Sequence, residues 1–224
     1  MRNALRQIKH SVEQHARATT LDLMLRRLRH GAADGASDAS LRRLSWAWGN
    51  TAWSARPSFI NTALSLAESV DGPVLECGSG LSTLIVGARL AQRNQMLISV
   101  EHDIRWYLRI AVLLQRHGLH NVTLCYARLR DYGEFAWYDA ESVPRDVRFS
   151  LVLCDGPPGK TSGGRYGLVP IMRERLADNA SILLDDYHRD EEHRIAQRWA
   201  VELPAAIRPV TDAPELAILE RQSA

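Results

Sequence analysis

The feature that most constrains this 224-residue chain is an alternation of short apolar runs with segments of helical spacing. Strands that alternate with helices form βαβ units, whose parallel sheet is covered by helices on both faces. We therefore expect an open, mostly parallel α/β sheet. Strands are predicted at 73–77, 96–100, 121–126, 149–154 and 181–184. Helices are predicted at 81–93, 103–117, 168–178 and 189–201.

Two further apolar runs close the chain, at 206–210 and 216–219. Only Thr-Asp-Ala-Pro-Glu joins them, and a connection of that length makes a hairpin, whose strands are antiparallel. The predicted fold is thus an open α/β sheet with one antiparallel strand and helices on both faces. Its length suits a single domain over 57–224, preceded by a helical extension over 1–56.

The extension is basic and helical in pattern. Residues 1–30 hold apolar positions at helical spacing and seven Arg or Lys against two Asp or Glu, which predicts one or two amphipathic helices. The stretch 31–38 has the composition of a linker, and Pro57 suits the first position of a helix that runs to 69. Three tryptophans lie between the linker and Pro57 and indicate packing against the core rather than a binding surface; they are Trp46, Trp48 and Trp53.

Composition excludes several classes of function. A net charge of +2 does not indicate a nucleic-acid partner, and no stretch approaches the roughly 20 apolar residues of a membrane span. Three scattered cysteines, Cys77, Cys125 and Cys154, fit neither a zinc site nor a disulfide framework, so buried reduced thiols in a cytoplasmic protein are expected. An Arg-rich, acid-poor start is also found in organelle transit peptides, which remains an alternative. The oligomeric state stays open, with a homodimer as one possibility.

A glycine-containing turn follows the first predicted strand. Gly78 and Gly80 permit a tight turn and close backbone approach before a helix N-terminus, where backbone N–H groups are free. A dinucleotide-binding fingerprint looks similar, but Thr83 stands where its third glycine would be. Glu76, two residues before the turn, suits a cationic ligand such as an ammonium group and is a poor neighbour for a pyrophosphate.

The second predicted strand ends in Val-Glu101-His102-Asp103. A carboxylate at this strand end can accept both hydrogen bonds from a ribose diol. The alternative is that Glu101 or Asp103 serves only as the N-cap of the next helix. Asp103 suits the cap, which leaves Glu101 for the ribose.

These segments carry a family resemblance. Glu-Cys-Gly-Ser-Gly-Leu-Ser-Thr, Ser-Val-Glu-His-Asp, Cys-Asp-Gly-Pro-Pro-Gly and Leu-Leu-Asp-Asp-Tyr-His-Arg resemble, in order, the motifs of class I S-adenosylmethionine-dependent methyltransferases over 57–202. The closest likeness is to the branch that methylates hydroxyls of small molecules and sugars. The resemblance implies a Rossmann-like fold, with Arg128, Leu129, Trp137 and Tyr138 near the adenine. It implies cofactor contacts from Glu76, Gly78, Ser79, Gly80, Ser82, Thr83, Glu101, His102, Leu129 and Asp155. Ser82 departs from the family, where many members carry a third glycine.

Three acids end the fourth and fifth predicted strands: Asp155, Asp185 and Asp186. Neighbouring parallel strands lie about 4.8 Å apart, so these carboxylates are expected to converge. Converging carboxylates need neutralisation, which Mg²⁺ with oxygen ligands supplies. The alternative, equally open, is that one aspartate caps the following helix while another pairs with Arg165 or Arg189.

The predicted function is methyl transfer from S-adenosylmethionine to a hydroxyl of a small molecule or sugar. Asp155 or His188 is the candidate base, or a bound metal lowers the pKa of the hydroxyl. Arg165 is a further candidate, in a Gly-rich loop that either closes over the substrate or is simply solvated. Alternatives are N-methylation of a small amine, a nicotinamide-dependent oxidoreductase, and a non-catalytic module with a cofactor fold. The N-terminal helices are expected to contribute to the acceptor side and to leave the cofactor turn intact.

Overall fold

The structure, a computed structural model, describes residues 2–31, 37–50 and 54–222, with side chains from Arg6 onward. The helices are α1 (Arg2–Arg29), α2 (Asp38–Trp48), α3 (Pro57–Ser69), α4 (Leu81–Leu90), α5 (Ile104–Arg116), α6 (Leu168–Met172) and α7 (Asp190–Glu202). The strands are β1 (Val74–Cys77), β2 (Leu97–Glu101), β3 (Val122–Tyr126), β4 (Leu129–Asp131), β5 (Ala136–Tyr138), β6 (Phe149–Cys154), β7 (Leu176–Leu184), β8 (Ala205–Val210) and β9 (Ala213–Arg221).

Seven strands form one sheet in the order β3-β2-β1-β6-β7-β9-β8. Strands β1, β2, β3, β6 and β7 are parallel to one another, whereas β9 runs antiparallel to both β7 and β8. The predicted sheet with one reversed strand is therefore confirmed. The hairpin turn is tighter than predicted, because β8 and β9 extend inward and leave only Thr211 and Asp212 between them.

Alternating side chains divide the core into two apolar layers, one on each face of the sheet. Leu97, Leu151 and Leu183 face the layer that holds α1 to α5. Ile98, Val152 and Ile182, each one position away along the same strands, face the layer that holds α6, α7 and the β4–β5 hairpin. In the part of the chain that the structure describes, no helix is both long and apolar enough to cross a bilayer.

The N-terminal extension divides into an exposed and a buried half. From Arg6 to Ala16 every side chain of α1 is exposed, whereas Leu21, Met24, Leu25 and Leu28 are buried in the same layer as α3 and α4. Helix α2 was not predicted; its N-cap is Ser37, whose side-chain oxygen accepts a hydrogen bond from the Ser40 N–H. Among the predicted aromatic contacts, Trp48 is buried and Trp46 is 47% exposed. Trp53 and residues 32–36 of the predicted linker lie outside the described residues.

Three further differences from the sequence prediction concern α6, β7 and the β4–β5 hairpin. The helix predicted over 168–178 ends at Met172 and a short 3₁₀ turn, and β7 begins at Leu176 rather than at 181. The hairpin of β4 and β5 was not predicted, because each strand has only three residues, too few to show a period of two. That hairpin matters for the site, since it brings Tyr138 beside the glycine turn.

Candidate functional site

The carboxyl ends of four parallel strands lie side by side at one edge of the sheet. Ladder hydrogen bonds run from the Asp155 N–H to the Cys77 carbonyl (3.3 Å) and from the Asp185 N–H to the Cys154 carbonyl (3.1 Å). Strand order reverses at this point, because β2 lies on one side of β1 and β6 on the other. Ligands of open α/β sheets bind at such a switch point.

The glycine turn after β1 has the two properties that a close-approaching ligand needs. Gly78 has φ of +91°, a conformation that side chains other than glycine rarely adopt. Gly80 is extended, and a Cβ placed on it would meet nothing within 4 Å. The space beside Gly80 is therefore open to a ligand, and α4 begins at the next residue.

Glu76 supports this turn from beneath. Its side chain is buried and accepts hydrogen bonds from the hydroxyls of Thr83 (2.5 Å) and Ser99 (2.6 Å). Thr83 in turn accepts the Gly80 N–H at 2.8 Å, so the carboxyl group holds the turn through one hydroxyl. The second oxygen, Oε1, is buried and finds no hydrogen-bond partner among the described residues.

Burial raises the pKa of Glu76 to about 7, against the lowering effect of hydrogen bonds from Ser82, Ser99 and Thr83. Glu76 is thus only partly ionised at neutral pH, which weakens the electrostatic case for its predicted contact with an ammonium group. Ser82 and Thr83 are buried with it. Direct cofactor contacts of these three residues stay predictions, whereas Ser99 was missed because its role depends on the register between β1 and β2, which places it opposite Glu76.

Glu101 lies where the sequence places it, at the carboxyl end of β2. Its Oε2 accepts the N–H (3.2 Å) and hydroxyl (2.9 Å) of Ser79, and its Oε1 accepts the Asp103 N–H at 2.8 Å. The His102 ring nitrogen lies 3.2 Å from the same Oε1. Burial alone would raise the pKa of Glu101, but these hydrogen bonds outweigh it and lower the pKa. Asp103 caps α5, as predicted, by accepting two backbone N–H groups.

Helix α5 fixes the other side of the turn. The Trp106 indole N–H donates to the Ser79 carbonyl at 2.6 Å. The Trp106 ring meets Trp48 of α2 edge-on, with centroids 5.7 Å apart, and Arg109 stacks on both rings. The N-terminal extension is thereby connected to the glycine turn through Trp48 and Trp106. Sequence reasoning missed this contact, because the pattern of α5 does not show that Trp106 faces the glycine turn. The expectation that the extension serves the acceptor side and leaves the turn intact stays a prediction.

The β4–β5 hairpin covers the turn from the opposite face. The Tyr138 hydroxyl is buried, lies 3.6 Å from where a Cβ on Gly78 would be, and has no hydrogen-bond partner among the described residues. Its ring meets that of His102 edge-on, with centroids 6.1 Å apart. Leu129 is half-buried at the start of β4, and its predicted contact with the adenine stays a prediction. Trp137 is fully buried and belongs to the core.

The three predicted acids do converge. Asp155, Asp185 and Asp186 each offer one carboxylate oxygen, and these three oxygens lie within 4.8 Å of one another. Asp186 has φ of +61°, a left-handed conformation that aspartate tolerates better than most residues, so the chain turns sharply after β7. Strand geometry and this turn together bring the three groups to one place, which we call the acid triad.

Arginines neutralise the acid triad. Arg165 Nη2 lies 3.1 Å from Asp155 Oδ1 and 2.9 Å from Asp186 Oδ2. Arg189 Nη1 also lies 2.9 Å from Asp186 Oδ2, and Arg56 pairs with Asp186 Oδ1. Among the alternatives that the sequence left open, the structure therefore shows the aspartates paired with Arg165 and Arg189. Arg56 was missed, since it lies 130 residues from Asp186 in the chain.

Electrostatics in the triad favour a shared proton. Burial raises the pKa of Asp155 to about 8; Arg165 lowers it, and the charges of Asp185 and Asp186 raise it further. Burial and the charge of Asp186 also raise the pKa of Asp185. The neighbouring carboxylates raise the pKa of Arg165 although burial acts in the opposite direction. Because burial and the neighbouring carboxylates raise the pKa of Asp155, the ionised form that can accept a proton from a hydroxyl becomes more populated as the pH rises.

The remaining catalytic candidates lie in different environments. His188 is exposed just past the end of β7, close enough to Glu215 to help lower that residue's pKa after Ser58, the backbone and Arg56. Arg165 and Tyr166 are buried, at 3% and 8% exposure, whereas Ser162 and Gly163 of the same Gly-rich loop are exposed. The chain turns before Arg165 through Gly163 and Gly164, which both have positive φ. Closure of this loop over a substrate stays a prediction. Arg165 is a positioning residue in this structure.

A divalent cation does not fit the triad as it stands. Both oxygens of Asp186 and one of Asp155 already face guanidinium groups. A metal between the same oxygens would lie against the Arg165 nitrogen, and two positive charges in contact within a buried site repel strongly. The donor set is right for Mg²⁺, but two of its three carboxylates, those of Asp155 and Asp186, are already paired with Arg165.

Comparison with solved structures identifies the fold. An SAH-bound methyltransferase from Podospora anserina matches with a TM-score of 0.58 and 14% identity over 83% of this chain and 88% of that one. An O-methyltransferase from Bacillus cereus in complex with SAH matches with 0.56 and 11% identity over 95% and 97%. A putative caffeoyl-CoA O-methyltransferase from Staphylococcus aureus matches with 0.58 and 14% identity over 83% and 93%. No protein-family model and no curated protein matches the sequence.

The fold and the switch-point site define a class. This chain has the Rossmann-like fold of the class I S-adenosylmethionine-dependent methyltransferases, with the reversed strand β9 inside the sheet and the glycine turn after β1. The resemblance stated from four sequence motifs is thus confirmed at the level of the fold.

Proposed function

We propose that this protein transfers a methyl group from S-adenosylmethionine to a hydroxyl oxygen of a small molecule or sugar. The observation that carries the proposal is the convergence, at one sheet edge, of the open glycine turn, Glu101 and Asp155. Two of the similar structures are described as bound to SAH, the product left after methyl transfer.

The residues of the site fit such a cofactor. Gly80 leaves room for close approach, and Glu101 is a buried carboxylate at the β2 end, where a ribose diol is bound in this class of fold. Ribose hydroxyls would replace the Ser79 hydroxyl as donors to Glu101. When bound, the cofactor supplies an electrophilic methyl group.

Asp155 is the residue that we assign to the acceptor side. One third of its side chain is exposed, whereas Asp185 and Asp186 are nearly closed off. Its carboxyl group is held by Arg165, and it can take the proton that an acceptor hydroxyl must lose. Positioning supplies much of the remaining acceleration for a displacement at a methyl group.

Calorimetry with SAH and with NAD tests the cofactor. We expect SAH to bind and NAD not to bind, because Thr83 stands where the dinucleotide fingerprint has its third glycine and Glu76 is a poor neighbour for a pyrophosphate. Glu101→Ala should weaken SAH binding by about 1.5–3 kcal/mol, the value of lost charge-assisted hydrogen bonds. Asp103→Ala is the matched control: it removes only the α5 cap and should cost stability, not affinity. NAD binding, or equal losses in both variants, would overturn the assignment.

The acceptor atom is tested separately. Incubation with S-adenosylmethionine labelled with ¹³C in its methyl group, and with a panel of small polyols, sugars, phenols and amines, should give an O-methyl carbon resonance. Asp155→Asn should abolish that signal while SAH still binds. An N-methyl resonance in place of the O-methyl one would establish the amine alternative.

A further inference from the structure

We propose that the Arg165 guanidinium permanently occupies the place of a divalent cation in the acid triad, so that the acceptor site works without a metal. The exclusion of a metal follows from the geometry of the triad alone, whereas metal-free catalysis at the acceptor site rests on the proposed methyl transfer. It also predicts that the triad becomes a metal site once the guanidinium is removed.

The guanidinium makes the contacts of a cation that bridges Asp155 and Asp186, and it meets Asp185 through the backbone carbonyl rather than the carboxylate. Nη2 reaches Asp155 Oδ1 (3.1 Å), Asp186 Oδ2 (2.9 Å) and the backbone carbonyl of Asp155 (2.9 Å). Nη1 reaches the carbonyl of Asp185 at 2.5 Å. One side chain therefore ties the end of β6 to the end of β7 through four oxygens, two of them carboxylate and two of them carbonyl.

Arg165 cannot readily leave this place. Its side chain is only 4% exposed, and Glu192 Oε1 of α7 lies 3.6 Å from its Nη1. The backbone before it turns through Gly163 and Gly164, with φ of +70° and +55°. The residue after it, Tyr166, is anchored because its carbonyl accepts the Trp199 indole N–H at 2.8 Å.

The charges around the triad are already close to balance. Four carboxyl groups converge, and three guanidinium groups contact them. The carboxyl groups belong to Asp155, Asp185, Asp186 and Glu192, and the guanidinium groups to Arg56, Arg165 and Arg189. With the shared proton of the triad in place the set is neutral, so a divalent cation would bring two uncompensated positive charges into a largely buried site, which is costly. Removal of Arg165 reverses that balance and leaves three carboxylate oxygens within 4.8 Å of one another.

The experiment titrates the full-length protein with Mn²⁺ and follows free Mn²⁺ by electron paramagnetic resonance. The wild type should leave the signal unchanged. Arg165→Gln should bind one Mn²⁺ at least about tenfold more tightly than the wild type, because losing a neighbouring positive charge is worth that factor even when well screened. Arg165→Lys retains a positive charge and should resemble the wild type. Asp155→Asn added to Arg165→Gln should abolish the gain.

Stoichiometric Mn²⁺ binding by the wild type, displaced by Mg²⁺ and lost in Asp155→Asn, would overturn the proposal. So would an equal gain in Arg165→Lys and Arg165→Gln. If Arg165→Gln fails to fold, the wild-type titration still decides. SAH calorimetry on the same samples separates the two hypotheses: a wild type that binds neither SAH nor Mn²⁺ counts against the proposed function and leaves the metal-free triad standing.

Discussion

At the scale of single residues, the two glycines of the glycine turn after β1 have different physical roles. Gly78 is required by the backbone, since its φ of +91° is strained for any residue with a Cβ. Gly80 is extended, and what its missing Cβ provides is space. A substitution at Gly78 should therefore lower mainly the stability of the fold, and one at Gly80 mainly the affinity for the ligand.

Gly80→Ala should fold with nearly unchanged stability and bind SAH at least about tenfold more weakly, because the methyl group enters the space needed by the ligand. Gly78→Ala should instead lose about 1–3 kcal/mol of unfolding free energy. Urea unfolding and calorimetry with SAH measure the two quantities. Unimpaired SAH binding by Gly80→Ala would mean that the cofactor does not approach this turn.

Glu76 gives a prediction on pH. Its pKa is raised in the folded protein to about 7 from an ordinary 4.5, so the folded state favours the protonated form. That contribution to stability is complete below pH 4.5 and is lost as the pH rises through 7. From pH 5 to pH 8 the wild type should lose about 2–3 kcal/mol of unfolding free energy through this group, since one pKa unit is about 1.4 kcal/mol.

Glu76→Gln removes this titration. As the pH rises from 5 to 8, the unfolding free energy of the variant should therefore increase by about 2–3 kcal/mol relative to that of the wild type. Urea unfolding at both pH values measures the difference. Glu174→Gln, at an exposed position, is the control and should show no such change. Parallel pH profiles for the wild type and Glu76→Gln would mean that Glu76 is ionised in the folded protein.

At the scale of elements, helix α1 belongs to the core through only part of its length. Leu28 is 1% exposed and Ile8 is 61% exposed, although both occupy apolar positions of one helix. The buried half packs near α4, which begins at the glycine turn, and α2 contacts that turn through Trp48 and Trp106. Deletion of residues 1–34 should therefore reduce cofactor affinity along with stability, in contrast to the sequence expectation.

Two point variants separate the halves without deleting residues. Leu28→Ala should lose about 2–5 kcal/mol of unfolding free energy, the usual cost of a cavity in a packed core. Ile8→Ala should change it by less than about 0.5 kcal/mol, because the side chain is exposed. Chemical unfolding measures both. A loss in Ile8→Ala comparable with that in Leu28→Ala would show that the exposed half is covered, for example by a second copy of the chain.

At the scale of the whole molecule, one edge of the sheet collects everything that the proposed chemistry needs. The order β3-β2-β1-β6-β7-β9-β8 brings the ends of β1, β2, β6 and β7 together, and the two apolar layers hold those ends in place. The proposed cofactor side, at Glu101, and the proposed acceptor side, at the acid triad, then differ mainly in the groups that stabilise their carboxylates. Glu101 is held by hydrogen bonds, whereas the acid triad is held by guanidinium groups.

The sequence by itself determined the sheet class, the glycine turn, Glu101 at the β2 end and the convergence of Asp155 with Asp185 and Asp186. These features follow from local periodicity and from the rule that parallel strands end at one edge. The tertiary structure alone decided what neutralises the triad, what Glu76 bonds to and how far α1 is buried. Each of those depends on contacts between distant residues, such as Arg56 with Asp186 and Ser99 with Glu76, and on side-chain direction. A guanidinium and a metal ion satisfy the same carboxylates, so only the observed position of Arg165 distinguishes them.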